Sequence, residues 1–139
     1  LAGRHDTETH LSPRALMAAS GQIPHLSVCG EDYDTEDGTC VRDYIHVMDL
    51  ARAHVLAAGY LGDGGISTAF NLGTGRGVSI REILTAIHRV TGREVPIVME
   101  PRRAGDPPAL YADPRLASDR LGLKADFSDI YTIVGTAAP

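Results

Sequence analysis

Three short stretches carry the residue types that could do chemistry. Arg102-Arg103-Ala104-Gly105-Asp106 sets two adjacent guanidiniums on a loop after a strand-like run, with a carboxylate three residues beyond the second. Forked guanidinium donors match phosphate oxygens, and a carboxylate can accept hydrogen bonds from the vicinal hydroxyls of a ribose. Together they would hold a nucleoside diphosphate by its charge and its sugar. The plainer alternative is a solvated loop with an internal Arg–Asp pair, worth under ~1 kcal/mol. Arg42-Asp43-Tyr44-Ile45-His46 alternates in polarity, so an extended backbone puts Arg42, Tyr44 and His46 on one face. A guanidinium beside a phenol again suits phosphate, although an ordinary half-buried strand reads the same way.

The third stretch, Gly73-Thr74-Gly75-Arg76-Gly77, invites comparison with phosphate loops. A dinucleotide loop needs its third glycine where Val78 stands, and a P-loop needs a Gly-Lys pair that is absent. A tight strand-to-helix turn, with glycines permitting close backbone approach, fits better. Tyrosine–lysine proton chemistry is missing as well. Among twelve arginines stands a single lysine, Lys124, and the residue four before it is Arg120, so there is no Tyr-x-x-x-Lys. His46 and His54 have no third ligand at metal-site spacing. No metal site is expected.

Positioning these groups takes alternating strands and helices, an α/β chain. A helix is expected over 9–20, with Pro13 in its first turn and Gly21 as its stop. A strand over 25–29 and a polar, hairpin-like stretch over 31–39 follow, the latter closing on Asp37-Gly38. Residues 41–45 read as extended and 46–60 as helical, with Val47, Leu50, Ala51, His54 and Ala58 on one face. A strand over 69–72 leads into the glycine-rich turn. Ser79, with Glu82 three residues on, is a capping box for a helix striped by Ile80, Ile83, Leu84, Ile87 and Val90 and ended by Gly92. A strand over 96–99, an extended piece over 110–112, a helix from Asp113-Pro114 to Gly122 and a last helix over 128–134 complete the chain.

The 139 residues, 43% apolar and 22% charged, suit one ordinary ordered domain. Acidic residues outnumber basic ones 18 to 13, for a net charge of -5, and only 5% are aromatic. A general nucleic-acid binder would show basic patches interleaved with stacking rings. No run approaches the ~20 apolar residues of a membrane-spanning helix. Neither nucleic acid nor membrane is an expected partner, and an anionic ligand would have to be held by local arginines. Cys29 and Cys40 are too few for a disulfide framework, which leads us to expect reduced thiols and a cytoplasmic setting. The opening Leu1-Ala2-Gly3 leads us to expect a piece of a longer parent.

Gly30-Glu31-Asp32-Tyr33-Asp34-Thr35-Glu36-Asp37-Gly38-Thr39 followed by Val41-Arg42-Asp43-Tyr44-Ile45-His46-Val47-Met48-Asp49-Leu50 closely resembles the C-terminal half of bacterial UDP-glucose 4-epimerases. Thr9-His10-Leu11, Phe70-Asn71-Leu72-Gly73-Thr74-Gly75, Arg102-Arg103-Ala104-Gly105-Asp106, Ala112-Asp113 and Leu121-Gly122 extend the similarity over most of the chain. The resemblance implies the C-terminal, substrate-binding part of an extended short-chain dehydrogenase/reductase. Its N-terminal Rossmann lobe, which holds NAD and the catalytic Ser/Thr, Tyr and Lys, would lie outside this chain. In that family the sugar C4 hydroxyl is oxidised by hydride transfer to NAD, the 4-keto sugar turns, and the hydride returns to its other face.

Carried over position by position, the resemblance implies UDP-sugar contacts at His10, Leu11, Ser27, Val28, Cys29, Arg42, Tyr44, Arg103 and Asp106. Arg42 and Arg103 would clamp the diphosphate, Asp106 would take the ribose, and residues 27–29 would line the uracil. No catalytic, cofactor or metal residue is expected here, and NAD belongs to the parent enzyme. Residues 1–122 would be the UDP-sugar-binding portion. Residues 123–139 depart from the family's pattern and form a divergent tail, expected to pack differently or to fray. Cys29 stands where the family commonly has Phe, His10 where relatives often have Asn, and Leu123 where Trp is usual. The expected partner besides a UDP-sugar is the missing lobe or a second copy of the chain. A stand-alone UDP-sugar-binding or assembly module and an epimerase for another UDP-sugar are the alternatives.

Overall fold

The structure is a computed structural model and describes residues 10–139. Thr9, the expected start of the first helix, lies outside them. The chain runs α1 (Leu11–Ala19), β1 (Leu26–Cys29), β2 (Val41–Arg42), α2 (Val47–Gly62), β3 (Val78–Ser79), α3 (Ile80–Thr91), β4 (Ile97–Glu100), β5 (Ala109–Leu110), α4 (Arg115–Leu121) and α5 (Ile130–Ala137). The α/β expectation holds. β1 pairs with β4 in parallel, Leu26 opposite Ile97 through Cys29 opposite Glu100. β2 is the middle of a second sheet, antiparallel to β3 and parallel to β5.

The main core forms where the apolar faces of α1, α3 and α5 meet β1. Ala15 and Leu16, Leu26 and Val28, Ile83 and Ile87, and Val134 are all buried there. α3 starts as its sequence dictates. The Ser79 side chain accepts from the Glu82 N–H while the Glu82 carboxylate accepts from the Ser79 N–H, and Gly92 ends the helix at a φ of 71°. A smaller core joins α2 to α4 through Ala53, Ala117, Leu121 and Leu123, with Tyr60 and Phe70 edge to face at 5.6 Å. Within residues 123–139, α5 packs against α3 and buries Val134.

Several expectations change. Residues 69–72 form no strand and pair with neither of the two sheets of the described residues. Phe70 and Leu72 instead pack onto the smaller core. The 31–39 stretch is not a hairpin, because β1 and β2 on either side of it belong to different sheets. Helix α2 turns Asp49, Ala53, Leu56, Ala57 and Tyr60 inward and leaves Val47, Met48, Val55 and Leu61 exposed, so the face of Val47, Ala51, His54 and Ala58 is not the one that meets this chain's core. The helix is apolar nearly all round, and periodicity alone could not choose a side.

A buried carboxylate makes that choice. Asp49 is fully buried, and its Oδ2 accepts from the Phe127 N–H at 2.9 Å and the Ser128 hydroxyl at 2.5 Å. Ser128 Oγ in turn accepts from the His46 N–H at 2.9 Å, while the His46 ring accepts from the Met48 N–H and meets Thr136 Oγ1 at 2.7 Å. The start of α2 is thereby latched to both ends of α5. Leaving a buried polar group without its partner costs roughly 1–3 kcal/mol. Ser128→Ala removes an acceptor from His46 and a donor from Asp49 together. We expect it to lower unfolding stability by about 2 kcal/mol or more, read as a lower urea midpoint at unchanged slope. A midpoint within error of the parent chain would show that the latch contributes nothing.

Candidate functional site

Residues of β1, of β2 and the stretch after it, of α1 and of the loop after β4 line one concavity. The result is a cleft of about 510 Å³. Seven of the nine expected contact residues line it: Leu11, Ser27, Cys29, Arg42, Tyr44, Arg103 and Asp106. They come from four separate segments of the chain. His10 stands one residue before α1 as its N-cap and is not part of the lining. Val28 turns its side chain into the main core, because alternation along β1 sends it to the face opposite Ser27 and Cys29.

The lining also includes Arg14, Cys40 and Glu100, which sequence reading missed. Arg14 follows Leu11 by three residues on one helix, a spacing that stacks them on the same face. Glu100 stands opposite Cys29 in the parallel register, which only the pairing of distant strands reveals. Three guanidiniums (Arg14, Arg42 and Arg103) therefore face two carboxylates (Glu100 and Asp106) in an acidic protein. Burial pushes the Tyr44 phenol up to about 12, against the opposing pull of Arg42, so it stays a neutral hydrogen-bond donor.

The two neighbouring arginines diverge. Arg102 Nε donates to Asp32 Oδ1 at 2.8 Å, its Nη2 donates to the Asp32 carbonyl, and its guanidinium lies 4.5 Å from the centre of the Tyr33 ring. The Arg102 hydrogen bond holds the Asp32 carboxyl below the usual carboxylate range. Arg103 has no ion pair among the described residues and turns into the cleft. Among the described residues Arg42 donates only to the carbonyl of its neighbour Val41, at 2.7 Å. Two cleft guanidiniums are thus uncommitted to any carboxylate.

The glycine-rich turn holds an anion, but the anion is the protein's own. Asp43 accepts from the Thr74 N–H at 2.9 Å, the Thr74 hydroxyl at 2.7 Å, the Gly75 N–H at 2.9 Å and the Ala112 N–H at 3.3 Å. A Cβ on Gly73 would sit 2.6 Å from the Asp43 carboxylate, so only glycine lets the turn close. The turn reading is correct, and its purpose is this carboxylate. A dinucleotide phosphate has no room there.

The sequence profile of the NAD dependent epimerase/dehydratase family matches residues 1–73. UDP-glucose 4-epimerase of Lacticaseibacillus casei is 51% identical over 133 residues, which is 96% of this chain and 40% of that protein. A crystal structure of UDP-glucose 4-epimerase from Brucella ovis in complex with NAD superposes with a TM-score of 0.96 at 62% identity, covering 100% of this chain and 43% of the other. That from Bifidobacterium longum in complex with NAD+ and UDP gives 0.83 at 39%, covering 92% and 38%. The chain thus spans about 40% of the length of the relatives it matches. NAD, present in those solved relatives, does not fit the glycine-rich turn of this chain, which is closed around Asp43. Sequence, fold and cleft agree, and the chain belongs to the NAD-dependent epimerase/dehydratase family.

Proposed function

We propose that this chain is the UDP-sugar-binding portion of a UDP-glucose 4-epimerase, unable to catalyse without the NAD-binding lobe of its parent. The observation that carries the reading is the gathering of seven expected contact residues from four segments into one cleft. Arg42 and Arg103 grip the diphosphate as charge-assisted donors, and Tyr44 adds a neutral O–H. Asp106 accepts from the ribose hydroxyls, and the Ser27 to Cys29 edge of β1 meets the uracil. Hydride transfer is the chemistry NAD supplies, and no residue of this chain takes part in it. Val47, Met48, Val55 and Leu61 on α2 are 55–72% exposed, an apolar surface suited to docking the rest of the parent polypeptide. Two free thiols suit the reducing cytoplasm, and no described helix is long and apolar enough to cross a membrane.

Calorimetric titration with UDP tests the assignment. A charge-assisted hydrogen bond contributes roughly 1.5–3 kcal/mol, so Arg103→Ala weakens UDP binding about tenfold or more, while Arg102→Ala, whose guanidinium is held by Asp32, changes it about twofold at most. Equal losses for the two variants would defeat the clamp assignment. The purified chain, given UDP-galactose and NAD, should form no UDP-glucose. Turnover above background would show that its chemistry does not depend on another lobe.

A further inference from the structure

The sheet holds the Arg42 backbone, opposite Val78 and Leu110, but not the residues that follow it. β2 is two residues long and its ladder stops at Arg42, so no strand pairing holds residues 43 and 44. Among the described residues Arg42 reaches only the Val41 carbonyl, and the Tyr44 ring, though packed against the main core, has no hydrogen bond or ion pair to orient its phenol. The polar anchor of this stretch is Asp43 between them. Alternation sends its carboxylate to the other side of the backbone. There it is gripped by four donor groups from two distant segments, the Thr74–Gly75 turn and Ala112 just beyond β5.

We propose that Asp43 is a positioning residue for diphosphate recognition: anchored in the glycine-rich turn, it holds the 42–44 backbone so that Arg42 and Tyr44 point into the cleft. The inference rests on the reading of that cleft as a UDP site. The chemistry of the anchor calls for a carboxylate. Both oxygens are in use, Oδ1 by the Thr74 N–H and hydroxyl and Oδ2 by the Thr74, Gly75 and Ala112 N–H groups. Asn would offer one acceptor and turn an NH₂ toward N–H donors. Gly73 completes the device, since any side chain there meets the carboxylate.

The test is titration of UDP and of uridine into the chain and into Asp43→Asn, Gly73→Ala and Thr74→Val, with thermal midpoints recorded alongside. Asp43→Asn should weaken UDP binding about tenfold, the scale of one lost charge-assisted bond, and leave uridine within about twofold. Gly73→Ala should reproduce the pattern. Thr74→Val keeps the backbone donors and should give the same UDP-only loss at a few-fold, so the inference stays testable if the stronger variants do not fold. The sign is informative. Removing a negative charge near the cleft would by Coulomb attraction alone strengthen binding of an anion, so weakening reports lost aim. Unchanged UDP binding in all three variants overturns the inference while leaving the UDP site intact. Equal loss of UDP and uridine overturns it too, by showing only a collapsed fold. A parent chain that does not bind UDP at all refutes the site reading and this inference with it.

Discussion

Three of the strands are only two residues long, and such ladders cannot hold a sheet together. Side-chain carboxylates do the joining. Asp37, Asp43 and Asp49 are spaced six residues apart on either side of β2, and each accepts hydrogen bonds from a segment far away in the chain. Asp37 takes the Ser79 hydroxyl at the start of α3, Asp43 takes the glycine-rich turn and Ala112, and Asp49 takes Phe127 and Ser128 ahead of α5. The middle of the chain is thus a spine of acceptors to which the later elements are tied. Each bond is modest, but those from the Thr74, Gly75, Ala112 and Phe127 N–H groups also remove the cost of an unpaired backbone donor, which is the larger quantity in a buried place.

The same arrangement reconciles an acidic protein with a site for an anion. A net charge of -5 would repel a diphosphate if the carboxylates faced it. Asp43 and Asp49 are directed into backbone N–H groups, and Asp32 is paired with Arg102 outside the cleft. What remains around the cleft is three guanidiniums against two carboxylates. Local geometry, not the sign of the whole molecule, sets the field a ligand would meet.

How much of this is legible in the sequence depends on how local each interaction is. The capping box of Ser79 and Glu82 and the left-handed stop at Gly92 are written within a few residues, and both appear as expected. Alternation around Arg42 and Tyr44 correctly puts both in one cleft, whereas His46, though on the same nominal face, leaves the strand to cap α2. The sequence says least where the deciding partner is distant. Residues 69–72 read as a strand by composition, yet strand identity requires an edge to pair with. The inward face of α2 is selected by Asp49 meeting residues nearly eighty positions away. A charged residue on an apolar helix reads as the solvent side, and here it marks the core.

Asp43 shows the limit most sharply. In the sequence it is one of 18 acidic residues, flanked by two residues whose types already suggest phosphate. The glycine-rich turn 31 residues later suggests phosphate as well, and each signal alone points to a ligand. In the fold the two are parts of one device: the turn's anion is Asp43, and only its neighbours Arg42 and Tyr44 face the cleft. A backbone nest binds whatever negative group the chain presents to it. An internal carboxylate, held at no loss of translational freedom, outcompetes a dissolved phosphate for the same N–H groups. A glycine-rich turn is therefore evidence of an anion, and only the fold says whose.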